Sequence, residues 1–201
     1  MNFLRFPELE KPGLIHGFTL RSEPVLTSAD LPVILSAVGL PEKCVMAEQT
    51  HGSGVALVGR SEMGKTVPEV DALITCERNV SLVIRVADCG PVWIYCGKTG
   101  AIGLVHSGKK GTEAGVVPAT LRRMRQEYGS NPKEMLALLG PCIRPPHYEV
   151  DFASEILRQL QAEQVGTVVD TRLCTAADPD RFFSYRMEKG KTGRHYAILS
   201  L

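Results

Sequence analysis

Short apolar runs, each closed by glycine, proline or a polar turn, set the limits on what this chain can become. Leu14–Thr19 (LIHGFT), Asp71–Thr75 (DALIT), Ser81–Val86 (SLVIRV), Val92–Cys96 (VWIYC) and Ala101–His106 (AIGLVH) are too short for stable helices. They are rich in β-branched and aromatic side chains, and unbroken apolar runs suit strands covered on both faces. Gly97-Lys98-Thr99-Gly100 supplies a hairpin connection between the last two. Further strands are expected at Cys44–Glu48, Val55–Val58, Met135–Leu139, Thr167–Asp170 and near Tyr196–Leu199. Helical periodicity is confined to three segments. Ser28–Val38 follows a Ser/Asp start and ends at Gly39. Val116–Tyr128 has apolar residues at 116, 117, 121, 124 and 128, with basic residues opposite and Gly129 behind it. Asp151–Gln161 opens on an Asp N-cap and repeats apolar residues at 152, 156, 157 and 160. Strands with interspersed helices predict an α+β, mixed-sheet domain whose helices cover the sheet faces, with 1–201 as a single domain.

Charge narrows the partners. The chain has 23 Lys+Arg against 22 Asp+Glu, a net +1. That balance predicts no broad basic face for nucleic acid and no polybasic membrane anchor, while leaving room for a small basic cleft. No stretch approaches the roughly 20 apolar residues of a spanning helix. The start, MNFLRFPELEKPG, lacks the apolar core of a signal peptide. Six cysteines, at 44, 76, 89, 96, 142 and 174, are therefore expected as reduced thiols in the cytoplasm. Cys76 and Cys96 fall in apolar runs, where a thiol acts as a small apolar filler.

Chemistry concentrates where apolar strands run out into glycine turns. Gln49-Thr50-His51-Gly52, Ala87-Asp88-Cys89-Gly90-Pro91 and Val105-His106-Ser107-Gly108 each put a metal-competent or nucleophilic group at such an end. His51 lies 38 residues before Cys89, and His106 17 after it. Two imidazoles and a thiolate can hold Zn²⁺ with an open fourth position, where a bound water becomes acidic near neutral pH. The same residues fit two other readings. Cys89 and His106 could form a nucleophile pair of a thiol hydrolase. Alternatively, both histidines are turn residues and Cys89 a buried thiol.

Seven stretches then occur in a telling order: Gln49–Gly52, Asp71–Thr75, Ala87–Pro91, Val105–Gly108, Gly140-Pro141-Cys142-Ile143, Tyr148-Glu149-Val150 and Phe183-Ser184-Tyr185-Arg186. Together, over roughly residues 14–200, they resemble the multicopper polyphenol oxidase (laccase-domain) family, whose bacterial members are described as purine nucleoside phosphorylases. The resemblance implies mixed β-sheets packed in layers with helices on the outer faces. It implies His51, Cys89 and His106 as zinc ligands, with copper as the alternative. It implies a small-molecule substrate, a purine nucleoside with phosphate: phosphorolysis of adenosine, inosine and methylthioadenosine, and hydrolytic deamination of adenosine. Two other functions stay open beside it, a copper-dependent polyphenol oxidase and a role in editing peptidoglycan stem peptides. Five histidines are too few for a blue-copper centre plus a trinuclear cluster, which ranks oxidase chemistry second.

Residue roles follow from the same match. Asp88 and Glu149 are the candidate proton carriers, with Asp88 alternatively bracing its neighbouring ligand. Cys142 is placed at the cleft rim, or equally as a buried thiol. Gln49 is expected to meet substrate. Arg21 and Arg186 match family arginines and suit phosphate oxygens, with Lys109 and Arg85 as weaker candidates. His16 and His195 fall in strand patterns and read as structural, and His147 as leading into the helix at 151. The family pattern carries a Trp and an Arg after its third ligand; here Lys109-Lys110 stand in their place. Ser22-Glu23-Pro24 replaces paired glycines after Arg21, and the segment between Gln161 and Thr171 is abbreviated.

Overall fold

A computed structural model describes residues 2–201. The chain runs β1 (Phe3–Leu4), β2 (Ile15–Thr19), α1 (Leu31–Ser36), β3 (Val45–Ala47), β4 (Val55–Leu57), β5 (Thr66–Val67), β6 (Ala72–Thr75), β7 (Leu82–Val86), β8 (Gly90–Cys96) and β9 (Ala101–Ser107). It continues through α2 (Lys109–Glu113), α3 (Val116–Tyr128), β10 (Met135–Leu139), α4 (Phe152–Ala162), β11 (Thr167–Asp170) and β12 (His195–Ser200). The first sheet has the order β1-β2-β12-β7-β3-β5, and the second β11-β10-β8-β9-β6-β4. Each mixes parallel and antiparallel pairs.

Alternation along the strands decides the layering, because successive side chains leave opposite faces. Leu82 and Ile84 of β7 enter a core between the sheets, joined there by Phe18, Leu73, Trp93, Leu104 and Leu199. Val83, between them in sequence, packs outward with Tyr196 and Ile198 under α1 residues Leu31, Ile34 and Leu35. In the second sheet Val92 and Ile94 face the opposite way from Trp93 and pack with Leu121 and Met124 of α3 and Ile156 of α4. The result is helix, sheet, sheet, helices, the α+β layering expected. The indole N–H of Trp93 donates to the Ile198 carbonyl at 2.9 Å, so the largest buried side chain also ties the sheets together.

Local signals explain the helix limits. α3 lies between Gly115 and Gly129, both left-handed at φ 75 and 65. Asp151 caps α4 by accepting from Ser154 N–H at 3.0 Å. The helix expected over Ser28–Val38 is divided: a 3-10 turn at Ser28–Asp30, boxed by Thr27 and Asp30, leads into the shorter α1 with Pro32 in its first turn. Cys76 lies just past the end of β6 and is exposed, unlike the filler expected. Among the described residues, no helix is long and apolar enough to cross a membrane.

Candidate metal centre and its cleft

The chain passes from the first sheet to the second three times, and two of these crossings carry a predicted ligand. One crossing joins β3 to β4 and holds His51; the other joins β7 to β8 and holds Cys89. His106 is the last residue but one of β9, where the β8–β9 register pairs Pro91 with His106 and Gly90 with Ser107. The ligand atoms of His51, Cys89 and His106 all lie within 4.8 Å of one another, so this group could hold a metal ion. The two imidazole rings stand edge-on, 4.8 Å apart and inclined by 81°. Gly108 makes the approach possible, since a Cβ there would overlap Cys89 Sγ.

Asp71 organises the group. Its carboxylate accepts from His106 Nδ1–H at 2.7 Å, from the N–H groups of His51 (3.0 Å) and Gly52 (2.8 Å), and from Thr50 Oγ1 (3.2 Å). With Nδ1 so engaged, Nε2 is the ring nitrogen of His106 left for a metal. Gln49, His51 and Asp88 hold left-handed backbone at φ 69, 63 and 84, a clustering of strain that marks functional sites. Burial alone would raise the Cys89 thiol, but hydrogen bonds to His106 and His51 and their charge outweigh it and bring it to about 6. Burial would lower His106; the bonds to Asp71 and Cys89 and their charge lift it to about 9. A thiolate beside two imidazoles has the softness and geometry zinc prefers, and also suits copper.

The three ligands line a cleft of about 910 Å³, together with Gln49, Asp88, Tyr148, Tyr185 and Arg186. One wall is the segment 175–194, which is folded around two carboxylates. Asp88 accepts from Thr175 Oγ1 (2.6 Å), Ser184 Oγ (3.0 Å) and Arg186 N–H (2.7 Å). Glu188 accepts from the Arg21 guanidinium through two bonds of 3.1 and 3.2 Å, from Ser184 N–H at 3.0 Å and from Thr192 Oγ1 at 2.8 Å. These bonds outweigh burial and hold Glu188 at about 2.

The remaining predicted residues are placed as follows. Arg186 reaches the cleft; its guanidinium binds Glu149 at 3.0 Å and lies 5.5 Å from the centre of the Tyr148 ring. Glu149 itself is exposed. Gln49 lines the cleft, but its carboxamide is bonded on both sides to the Arg85 backbone, at 2.6 and 2.8 Å. Arg21 stands behind the wall on Glu188 and over the Phe183 ring, 4.6 Å from its centre. Cys142 is fully buried, bridged backbone to backbone with Cys174, and burial pushes its thiol up to about 12. His147 lies in the turn ahead of α4.

Sequence reasoning gave Asp71 no role of its own, although it heads an apolar strand, where an acid needs a buried partner. It passed over Tyr185, which is 54% exposed on the cleft wall, and the donors Thr175 and Ser184. Ser184 and Tyr185 lie in one of the seven stretches that carry the family resemblance but were given no role there, and Thr175 had no signal beyond a hydroxyl in a stretch without periodicity.

Comparisons with known proteins agree with this architecture. The family model described as multi-copper polyphenol oxidoreductase laccase matches residues 17–164 and 150–201. A purine nucleoside phosphorylase of Bacteroides thetaiotaomicron is 38% identical over 77% of this chain and 72% of its own. One from Corynebacterium glutamicum is 30% identical over 92% of this chain and 85% of its own. The crystal structure of YlmD from Geobacillus stearothermophilus superposes with a TM-score of 0.90 at 23% identity, covering 100% of this chain and 96% of that one. A Neisseria meningitidis protein superposes with a TM-score of 0.86 at 24% identity, covering 100% and 99%. The sheets, the crossings and the family match lead to one conclusion: the chain belongs to the multi-copper polyphenol oxidoreductase laccase family.

Proposed function

We propose that this chain is a zinc-dependent purine nucleoside phosphorylase acting on adenosine, inosine and methylthioadenosine. The observation that carries it is the His51–Cys89–His106 group lining a cleft large enough for a nucleoside, in a chain 30–38% identical to relatives named purine nucleoside phosphorylase. Zinc held there supplies Lewis acidity and an acidified water. The chain's own residues do the rest. Asp71 fixes His106 and the His51 turn before any ligand arrives. Asp88, held by three donors, positions the wall segment and keeps the Cys89 turn attached to it. Arg186 offers a planar guanidinium to phosphate oxygens, with Glu149 holding it until phosphate competes. Tyr185 and Tyr148 offer aromatic faces to a purine, in a chain that has Lys109 where the family pattern has Trp.

Laccase chemistry is disfavoured by the fate of the histidines. His16 accepts from Phe6 N–H, and His195 accepts from Phe183 N–H while donating to the Thr19 carbonyl, both rings standing on strands of the first sheet. Only His147 then remains outside the His51–His106 pair, short of a trinuclear cluster.

Metal analysis and product analysis of adenosine test the proposal. About one zinc per chain is expected, with adenine released only when phosphate is supplied. Inosine formed without phosphate would report deamination, the second reaction implied by the resemblance. Full zinc with no nucleoside converted would overturn the reading and favour a cell-wall substrate. Oxygen uptake with a phenol after copper loading would favour the oxidase.

A further inference from the structure

Charge is gathered at the cleft in a chain whose net is only +1. Arg85, Lys109, Lys110, Arg186, Lys189 and Arg194 all line it. They come from three separate places: β7, the short α2 after the His106 strand, and the wall segment. The acids lining the same cleft are engaged by the chain itself. Glu48 accepts from Glu69 N–H at 2.7 Å, and Asp88 accepts its three donors. Arg186 shares Glu149. Among the described residues, Arg85, Lys109, Lys110 and Lys189 form no ion pair.

We propose that this rim binds the phosphate of a nucleoside phosphate, so that the cleft takes nucleotides in preference to free nucleosides. The proposal rests on the nucleoside reading of the cleft. One inorganic phosphate, as co-substrate, must approach the ribose C1′ beside the base. Six cations from three separate segments exceed what one dianion needs. At about 910 Å³ the cleft is near the upper end of the roughly 300–1,000 Å³ usual for small-molecule sites, leaving space beyond a nucleoside. Clefts with walls of low dielectric focus such charge onto an incoming anion. Lys109 and Lys110 also stand where the family pattern has an aromatic and a single cation, trading stacking for charge. For adenosine 5′-monophosphate (AMP), phosphorolysis would break the C1′–N9 bond and form a C1′–O bond to hydrogenphosphate. The hydrogenphosphate proton ends on adenine, and ribose 1,5-bisphosphate is released.

Calorimetric binding of adenosine, AMP and inorganic phosphate to the zinc-loaded chain tests this, beside turnover of adenosine and AMP. In about 50 mM salt AMP is expected to bind at least about tenfold tighter than adenosine, with the gap closing near about 0.5 M as screening shortens to a few ångströms. The double variant K109Q/K110Q should lower the AMP-to-adenosine affinity ratio about tenfold. K189Q, on another segment, gives a second reading if the first variant folds poorly. Equal affinities for AMP and adenosine, or displacement of AMP by inorganic phosphate at equal concentration, would overturn the proposal. So would a single-stranded oligonucleotide that binds tighter than AMP. The two readings fail separately: tight AMP binding with neither compound converted removes the phosphorylase and leaves the anion rim, whereas brisk adenosine turnover without an AMP preference does the reverse.

Discussion

In the first sheet, buried imidazoles meet backbone; at the junction of the sheets, a buried imidazole meets a carboxylate and a thiol. His16 and His195 receive amide N–H groups at 2.8 Å, and burial lowers both to about 4, helped at His16 by the charge of Arg5. His106 is as deeply buried, yet Asp71 and Cys89 raise it to about 9. Burial therefore does not decide a histidine's role. Its partner does: an amide donor demands a neutral ring and makes a structural acceptor, while a carboxylate orients the ring and leaves a nitrogen free for other chemistry.

Replacing one histidine from each place should break the comparison most visibly. His106→Ala is expected to remove the metal and lower kcat/KM by about a thousandfold or more, read by metal content and nucleoside turnover. His195→Ala should keep the metal and instead lose about 2–4 kcal/mol of stability in urea, from a cavity and an orphaned Phe183 N–H. If the two variants lost metal equally, the division of roles would be wrong.

Acid should act on the first sheet by a definite sign. The folded values near 4 lie below the ordinary 6.5, so between them the unfolded chain binds more protons. Stability from these two rings is complete above about pH 6.5 and is lost as pH falls toward 4, by about 3 kcal/mol for each. Urea titrations at a series of pH values check this, and a flat profile across that window contradicts it.

Asp71→Asn sharpens the other half. An amide cannot accept all four of the donors now converging there, so metal affinity should fall about 10–100-fold with the fold retained. Competition with a chelator measures it. The smallest effect belongs to a control touching neither place: Asp151→Ala should cost about 1 kcal/mol through the lost α4 cap, with metal content unchanged.

How far the sequence could be read follows the range of the interactions involved. α3 and β11 begin and end where local pattern put them, because caps and periodicity are local. The three ligand positions were visible as polar groups ending apolar strands. Their convergence was less so, since β7 and β8 flank one short turn yet belong to different sheets. Asp71 was passed over because its partners lie 19 to 35 residues away. α2 escaped notice because Lys109–Glu113 has no apolar stripe and rests on the strand before it. The wall segment was opaque for a similar reason: its form comes from Asp88 and Arg21, which are far away in sequence.

Gln49 has a consequence of another kind. β3 pairs with β7 only at Val45–Leu82 and Met46–Val83, so the ladder would stop short of Arg85. The Gln49 carboxamide continues it, giving an N–H to the Arg85 carbonyl and an oxygen to its N–H. One side chain thus imitates a peptide group and closes a stretch of strand that would otherwise lie open to pairing with another chain. A glutamate there would turn lone pairs toward a carbonyl, and an alanine would leave the backbone bare. Shape alone cannot fill this position; it requires a neutral, planar group that both gives and accepts.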